Sequence, residues 1–300
     1  MGGAVKKVIT FLLCFVVATA SGYAESLLKF QKGQKAAYTI HQKASGKVTF
    51  PEGESTVAMN SVLGFQLEVL SVDPFTGSYP IEVQLQVTRL RFEDRIAIPF
   101  GGKKIAYDSA RKKNNPLLQK TIAQLMKKPL RFIVNEDFEV VETTGRLEKF
   151  EEAYADVTDF IMFGGSEFGY RMLLGQIFQL AGKEAGQNLY PVAAYPLVPW
   201  EEESISSSSE GYKIADKSHY QITKESSTSL QGNWRGRARI TCRYSGMQDN
   251  ITLNGLVIWS KANPLVQTRD LTFKLTQKGE DSERMQSNAT VHQQWSSRAL

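Results

Sequence analysis

Leu63-Gly64-Phe65-Gln66-Leu67-Glu68-Val69 alternates in polarity, and after Asp73-Pro74-Phe75-Thr76-Gly77 the stretch Ile81-Glu82-Val83-Gln84-Leu85-Gln86-Val87-Thr88 does the same. Successive side chains of a strand point to opposite faces, so a two-residue period is the mark of a strand with one apolar and one wet face. Leu63, Phe65, Leu67 and Val69 share one face, as do Ile81, Val83, Leu85 and Val87. The Asp-Pro-x-x-Gly segment between them supplies turn chemistry for a hairpin, and Phe50-Pro51-Glu52-Gly53 does so upstream. After Thr88 the phase switches, because Leu90 and Phe92 are apolar while Arg89 and Arg91 are not. A bulge or a bend is the simplest cause.

Working outward, the same pattern returns from Tyr212 to the end: Leu253, Val257 and Trp259, then Leu271, Phe273 and Leu275, then Val291 and Trp295. Turns are expected at Ser245-Gly246-Met247, Ala262-Asn263-Pro264 and Lys278-Gly279-Glu280. Between the two strand groups the period changes. Asn114-Asn115-Pro116 starts a helix that carries Leu118, Ile122 and Leu125 on one side and ends at Lys127-Lys128-Pro129. Leu130 to Val140 alternates as a hairpin. Thr144 opens a second expected helix through Leu147, Phe150, Tyr154 and Val157, and Ser166 a third through Met172, Leu173, Ile177 and Leu180. Tyr190 to Glu210, with three prolines, Glu201 to Glu203 and Ser206 to Ser209, is expected as a crossing segment.

Two strand groups with apolar faces need cover, and three helices are at hand to give it. The expectation is an α+β fold, with long curved antiparallel sheets wrapped around a central group of short α-helices. A single β-rich domain over 25–300 would have halves at about 25–108 and 210–300 around a helical insert at about 109–200. A pair of independent sandwiches is the competing arrangement.

The chain has 300 residues, 42% of them hydrophobic and 22% charged, which excludes collagenous, low-complexity and wholly disordered classes. Lys6 and Lys7, the apolar run Val8 to Ala18 and the ending Gly22-Tyr23-Ala24 predict a signal peptide over 1–24 and export to the periplasm or the outside. Cys14 follows Leu12 and Leu13 and lacks a lipid-attachment context. It leaves with the signal, so Cys242 remains alone and no internal disulfide is expected. Net charge falls from +5 to +3 once Lys6 and Lys7 are gone, which does not call for a nucleic-acid partner. No transmembrane span is expected in the mature chain.

Catalytic and metal motifs are missing. His41, His219 and His292 each sit in a strand pattern without metal-ligand spacing. Gly164-Gly165-Ser166-Glu167-Phe168-Gly169 has neither the Lys-Ser/Thr of a phosphate loop nor the glycine of a nucleophile elbow two places after Ser166. Glu201, Glu202 and Glu203 are expected in a solvated loop. Asn250-Ile251-Thr252 and Asn288-Ala289-Thr290 match the glycosylation pattern and are assigned no role. Trp234-Arg235-Gly236-Arg237-Ala238-Arg239 places Arg235, Arg237 and Arg239 in a row on one strand face, suited to phospholipid headgroups or another polyanion.

Tyr107-Asp108-Ser109, the helix Leu117 to Met126, the strand Leu130 to Val134, Val140-Val141, Gly145 and Pro199-Trp200 occur in an order that resembles an exported bacterial family of unknown function (DUF6263-like). Leu197-Val198-Pro199-Trp200 departs from the Gly-Asp-Ser/Thr-Trp turn of that family. The resemblance implies an exported β-rich protein and no activity. In architecture alone, the expected fold is similar to periplasmic lipoprotein carriers.

These features point to an envelope protein without enzymatic activity or cofactor that binds an apolar ligand or another envelope protein. The expected ligand-lining residues are Leu63, Phe65, Leu67, Val83, Leu85, Leu118, Ile122, Phe273 and Leu275. The alternative is a structural or interaction protein with a filled core, acting through its outer surface. A third class, a periplasmic hydrolase, would need Ser, His and Asp brought together from remote strands.

Overall fold

The computed structural model describes residues 30–50, 53–73, 80–98, 101–114, 116–127, 129–135, 140–144, 174, 177–178, 200–207, 212–242, 248–278 and 286–300. Twelve strands run β1 (Lys35–Phe50), β2 (Gly53–Val72), β3 (Ile81–Ile98), β4 (Gly101–Asp108), β5 (Leu130–Val134), β6 (Val140–Thr144), β7 (Trp200–Ser207), β8 (Tyr212–Glu225), β9 (Ser229–Cys242), β10 (Gln248–Ser260), β11 (Gln267–Lys278) and β12 (Gln286–Ala299). One helix, α1 (Pro116–Lys127), lies between β4 and β5.

All twelve strands belong to one sheet, in the order β6-β5-β3-β2-β1-β12-β11-β10-β9-β8-β7, with β4 also pairing β3. Every ladder is antiparallel. β5 takes the first part of β3 (Ile81↔Val134) and β4 the last (Ile98↔Gly101), so one long strand carries two short neighbours along one edge. The decisive ladder joins the ends of the chain. β1 pairs β12 from Ala36↔Ala299 to Thr49↔Gln286.

That ladder overturns the α+β expectation. The two strand groups are halves of one continuous antiparallel sheet, and Phe65 of β2 and Leu271 of β11 belong to the same buried cluster. The ladder satisfies the backbone edges that two separate sheets would leave open, and α1 is the one helix with assigned bounds among the described residues. The second expected helix lies outside them. Of the third, Leu174, Ile177 and Phe178 are helical and fully buried, with the Phe178 ring 5.1 Å from that of Phe30.

Local chemistry accounts for the elements. Phe50↔Gly53 closes the first hairpin with only two residues between them, and Gly53 takes φ 143°, a backbone that side chains disfavour. The phase switch near Thr88 is a register shift: Phe65 faces Val87 but Gly64 faces Arg89. α1 forms at Pro116 as read, with Ile122 fully buried, but Asn114 does other work than capping. Its amide accepts from Asp108 N at 3.0 Å and donates to the carbonyls of Asp108 and Arg111, both at 2.9 Å, tying up the loop before the helix. Asn263 plays a similar part between β10 and β11, accepting from Leu265 N at 3.2 Å and donating to Lys35 O at 3.1 Å.

Candidate binding faces of the sheet

The inner face is apolar where alternation says it should be. Phe65, Leu67, Val83, Leu85 and Ile122 are closed to solvent and Leu63 is 7% exposed. Phe65 stacks on Tyr38 with ring centroids 4.7 Å apart and planes 6° from parallel. The Tyr38 hydroxyl donates to Leu265 O across the β1–β12 seam. Burial pushes the Tyr38 phenol well above the ordinary tyrosine range, and the Arg269 guanidinium offsets this only in part. Six of the nine expected lining residues are therefore core. The side chain of Leu118 lies outside the described residues.

Phe273 and Leu275 differ. Both are half-buried on the inner side of β11, with Leu253 and Val291 opposite Phe273, and Ile251 and Ala289 opposite Leu275. Continuing that row, Ala289 pairs with Gly46 of β1, and a Cβ at Gly46 would come within 2.9 Å of the Ala289 Cβ. Residues this small leave the floor of the face low beside Leu275.

Phe273 packs against the same buried cluster as Phe65, and a set of polar side chains that alternation alone does not reveal is buried on this face too. Gln42, Gln267, Arg269 and Gln293 are buried at inner-face positions. Gln293 donates to Gln42 Oε1 at 2.7 Å and accepts from Trp295 Nε1 at 3.2 Å. Arg269 lies 4.6 Å over the Trp295 ring and donates through Nε to Gln267 Oε1 at 3.1 Å. Gln267 in turn donates to Pro264 O at 2.8 Å and to Ile177 O at 3.3 Å. Buried amides and a buried guanidinium persist because each finds partners. The available signal was their phase, since all four fall on the apolar side of their strands.

The outer face is charged. Arg235, Arg237 and Arg239 are exposed there on β9, in a row along one strand. Opposite them on β8 stand His219, Lys217 and Ala215, and beyond these on β7 stand Glu201, Glu203 and Ile205. The carboxylate run is thus in an edge strand and not in the expected loop.

The histidines do not form a metal site, and no group of three His, Cys, Asp or Glu suited to a metal occurs among the described residues. His292 does have company: its Nε2 is 3.6 Å from Asp270 Oδ1, and its Nδ1 is 3.2 Å from Thr272 Oγ1. The trio has the hydroxyl, base and acid of a hydrolase. It stands on β11 and β12, with β10 on the other side of β11. Asn250 and Asn288 lie within β10 and β12. The Gly164–Gly169 segment and the Cys242 side chain lie outside the described residues.

In the later part of β3, between β2 and β4, Glu93 accepts from Arg95 Nη2 at 2.7 Å and lies 3.0 Å from Lys104 Nζ. The hydrogen bond from Arg95 and then that from Lys104 lower its carboxyl to about 2. Tyr107 beneath, its ring 5.8 Å from Phe92, is raised by burial and then by the Asp108 charge.

No protein-family model and no curated protein matches the chain. Among solved structures it is similar to lipovitellin, in a study of lipid–protein interactions, at 11% identity and a TM-score of 0.47 over 90% of this chain and 25% of that one. The chain thus spans about a quarter of that protein. An outer membrane channel from Pseudomonas putida F1 is similar at 7% identity and a TM-score of 0.25, covering 93% of this chain and 98% of that one. Pseudomonas aeruginosa OccK7 gives 7% identity and a TM-score of 0.33 over 90% and 100%. Likenesses this distant assign neither fold nor function.

No helix among the described residues is long and apolar enough to cross a membrane.

Proposed function

We propose that the protein is an exported, non-catalytic envelope protein that holds an apolar ligand against the half-open part of its inner sheet face. The observation that carries this reading is the contrast along one face: Phe273 and Leu275 remain half-exposed where Phe65 and Leu67 are sealed. Apolar side chains left wet beside a closed core gain about 1 kcal/mol each when a ligand covers what is still exposed. The low floor at Ala289 and Gly46 gives that ligand somewhere to lie. Gln42, Gln293 and Arg269 on the same face offer polar groups to orient one end.

Export is supported by the signal-like segment 1–24. Native mass spectrometry of protein purified from the envelope without detergent tests the reading. A bound lipid-range mass that organic extraction removes is expected. Protein at its bare mass, with nothing released by extraction, would contradict it.

A further inference from the structure

We propose that a groove on the outer face, across β12, β1, β2 and β3, binds an elongated ligand that bears at least two separated phosphate groups. This does not rest on the apolar-ligand reading, because it concerns the opposite side of the sheet.

The groove encloses about 650 Å³. Its floor is made of small residues, Ala37 and Thr39 on β1 and Gly64 on β2. The bulge explains the glycine. Opposite Gly64 the register shift sets Arg89, and a Cβ on Gly64 would fall 2.8 Å from the Arg89 Cβ and 3.2 Å from Thr88 Oγ1. Only a hydrogen fits there, so the floor stays low while the neighbouring strand projects Arg89 and Arg91.

Three arginines, Arg89, Arg91 and Arg298, line the groove beside the His41 imidazole, and no carboxylate is among the described residues that line it. Arg89 is engaged by Asp108 at 3.1 Å. Among the described residues Arg91 and Arg298 make no ion pair, although both are exposed. Asp108 on β4 stands opposite Arg91 and holds Arg89, which leaves Arg91 and Arg298 as the guanidinium groups of the groove without an ion pair among the described residues. A concave surface that carries unpaired guanidinium groups attracts anions, and the guanidinium fork matches phosphate oxygens in pairs.

Spacing sets the ligand's shape. Arg298 pairs with Ala37, and Arg91 reaches His41 through Val62. The two arginines are thus three strand spacings apart, about 14 Å, with an offset along the strands of about 13 Å. One orthophosphate cannot touch both. The phosphates could belong to lipid headgroups or to a soluble phosphorylated molecule, and the chemistry at the groove is the same.

Calorimetric titration with a medium-chain linear polyphosphate, and separately with orthophosphate, tests this on the mature protein. The polyphosphate should bind at least tenfold more tightly than orthophosphate. Arg91→Gln and Arg298→Gln should each weaken it by about tenfold, the loss of one charge-assisted contact. The double variant should reduce it to the orthophosphate level with an unchanged thermal midpoint. Arg235→Gln/Arg237→Gln should stay within about twofold of the parent. Polyphosphate binding that survives the double variant, or falls equally in the Arg235/Arg237 control, overturns the site, as does failure of the parent to bind. Sedimentation with vesicles of phosphatidylcholine alone or with phosphatidic acid separates the sources. Capture by the acidic vesicles that requires Arg91 and Arg298 marks a headgroup, and polyphosphate binding without capture marks a soluble ligand.

Discussion

Leu67 and Leu275 project from the same face of the same sheet, one on β2 and the other on β11, yet the first is sealed and the second half-open. Their strands alternate equally well, so local pattern does not make the difference. Neighbours do. Around Leu67 the row continues into Ala36 and Leu85, with the Tyr38–Phe65 stack two residues along and Ile122 also in that core. Around Leu275 the row continues into Ile251, Ala289 and Gly46, of which the last two fill little. The Gln42–Gln293–Trp295 chain is buried on the same face. One zone stabilises the fold, and the other has surface to spare.

The strongest way to break this contrast is truncation in both zones. Phe65→Ala should cost about 3–5 kcal/mol in chemical denaturation, as for other fully buried aromatics, whereas Phe273→Ala should cost about 1 kcal/mol. Equal losses would mean that the two zones are alike. Next in size is the buried polar set. Gln293→Leu leaves Gln42 Oε1 and Trp295 Nε1 without their partner and should cost about 2 kcal/mol in the same measurement.

A pH titration sharpens the comparison from the sealed side. The Tyr38 phenol is raised by burial above its unfolded value near 10, so its contribution is fully present below pH 10 and is lost as pH rises beyond it. Thermal midpoints should therefore fall on the alkaline limb above pH 10, and Tyr38→Phe should flatten that limb. The smallest effect belongs to the outer side. Glu93 is lowered from 4.5 to about 2, so whatever it contributes is present above pH 4.5 and disappears between there and pH 2. Glu93→Gln should slightly flatten the acid limb and leave the midpoint at pH 7 nearly unchanged, because the pair is exposed.

Much of the strand content could be read from sequence, because an alternating face is a local property. Leu63 to Val69, Ile81 to Val87 and Leu253 to Trp259 are strands in the expected phase, and even the bulge showed in the switch from Val87 to Leu90. The β1–β12 ladder had no local signal, since it joins Ile40 to Trp295 across almost the whole chain. Without it the two strand groups looked like separate sheets in need of central helices, and the α+β expectation followed. Trp200–Ser207 was misread for the opposite reason. Its acidic and serine-rich composition suits a loop, but an edge strand tolerates such charge and is protected from aggregation by it.

The candidate site was half legible for related reasons. Sequence phase put Phe273 and Phe65 on one face but could not say which would be covered, because cover depends on residues three strands away. The outer groove was further from reach. It needs Arg298, Ala37, Gly64 and Arg91 in register across four strands, and the row noticed in sequence, Arg235, Arg237 and Arg239, was visible only because its members share one strand.

The most direct test is a titration of the delipidated protein with a fluorescent fatty acid, comparing the parent with Phe273→Ser/Leu275→Ser. The parent should saturate at one site, and the variant should bind at least tenfold more weakly while its thermal midpoint falls by only a few degrees. Undiminished binding by the variant, or no binding by the parent, would contradict the assignment of the β11 zone as the ligand face.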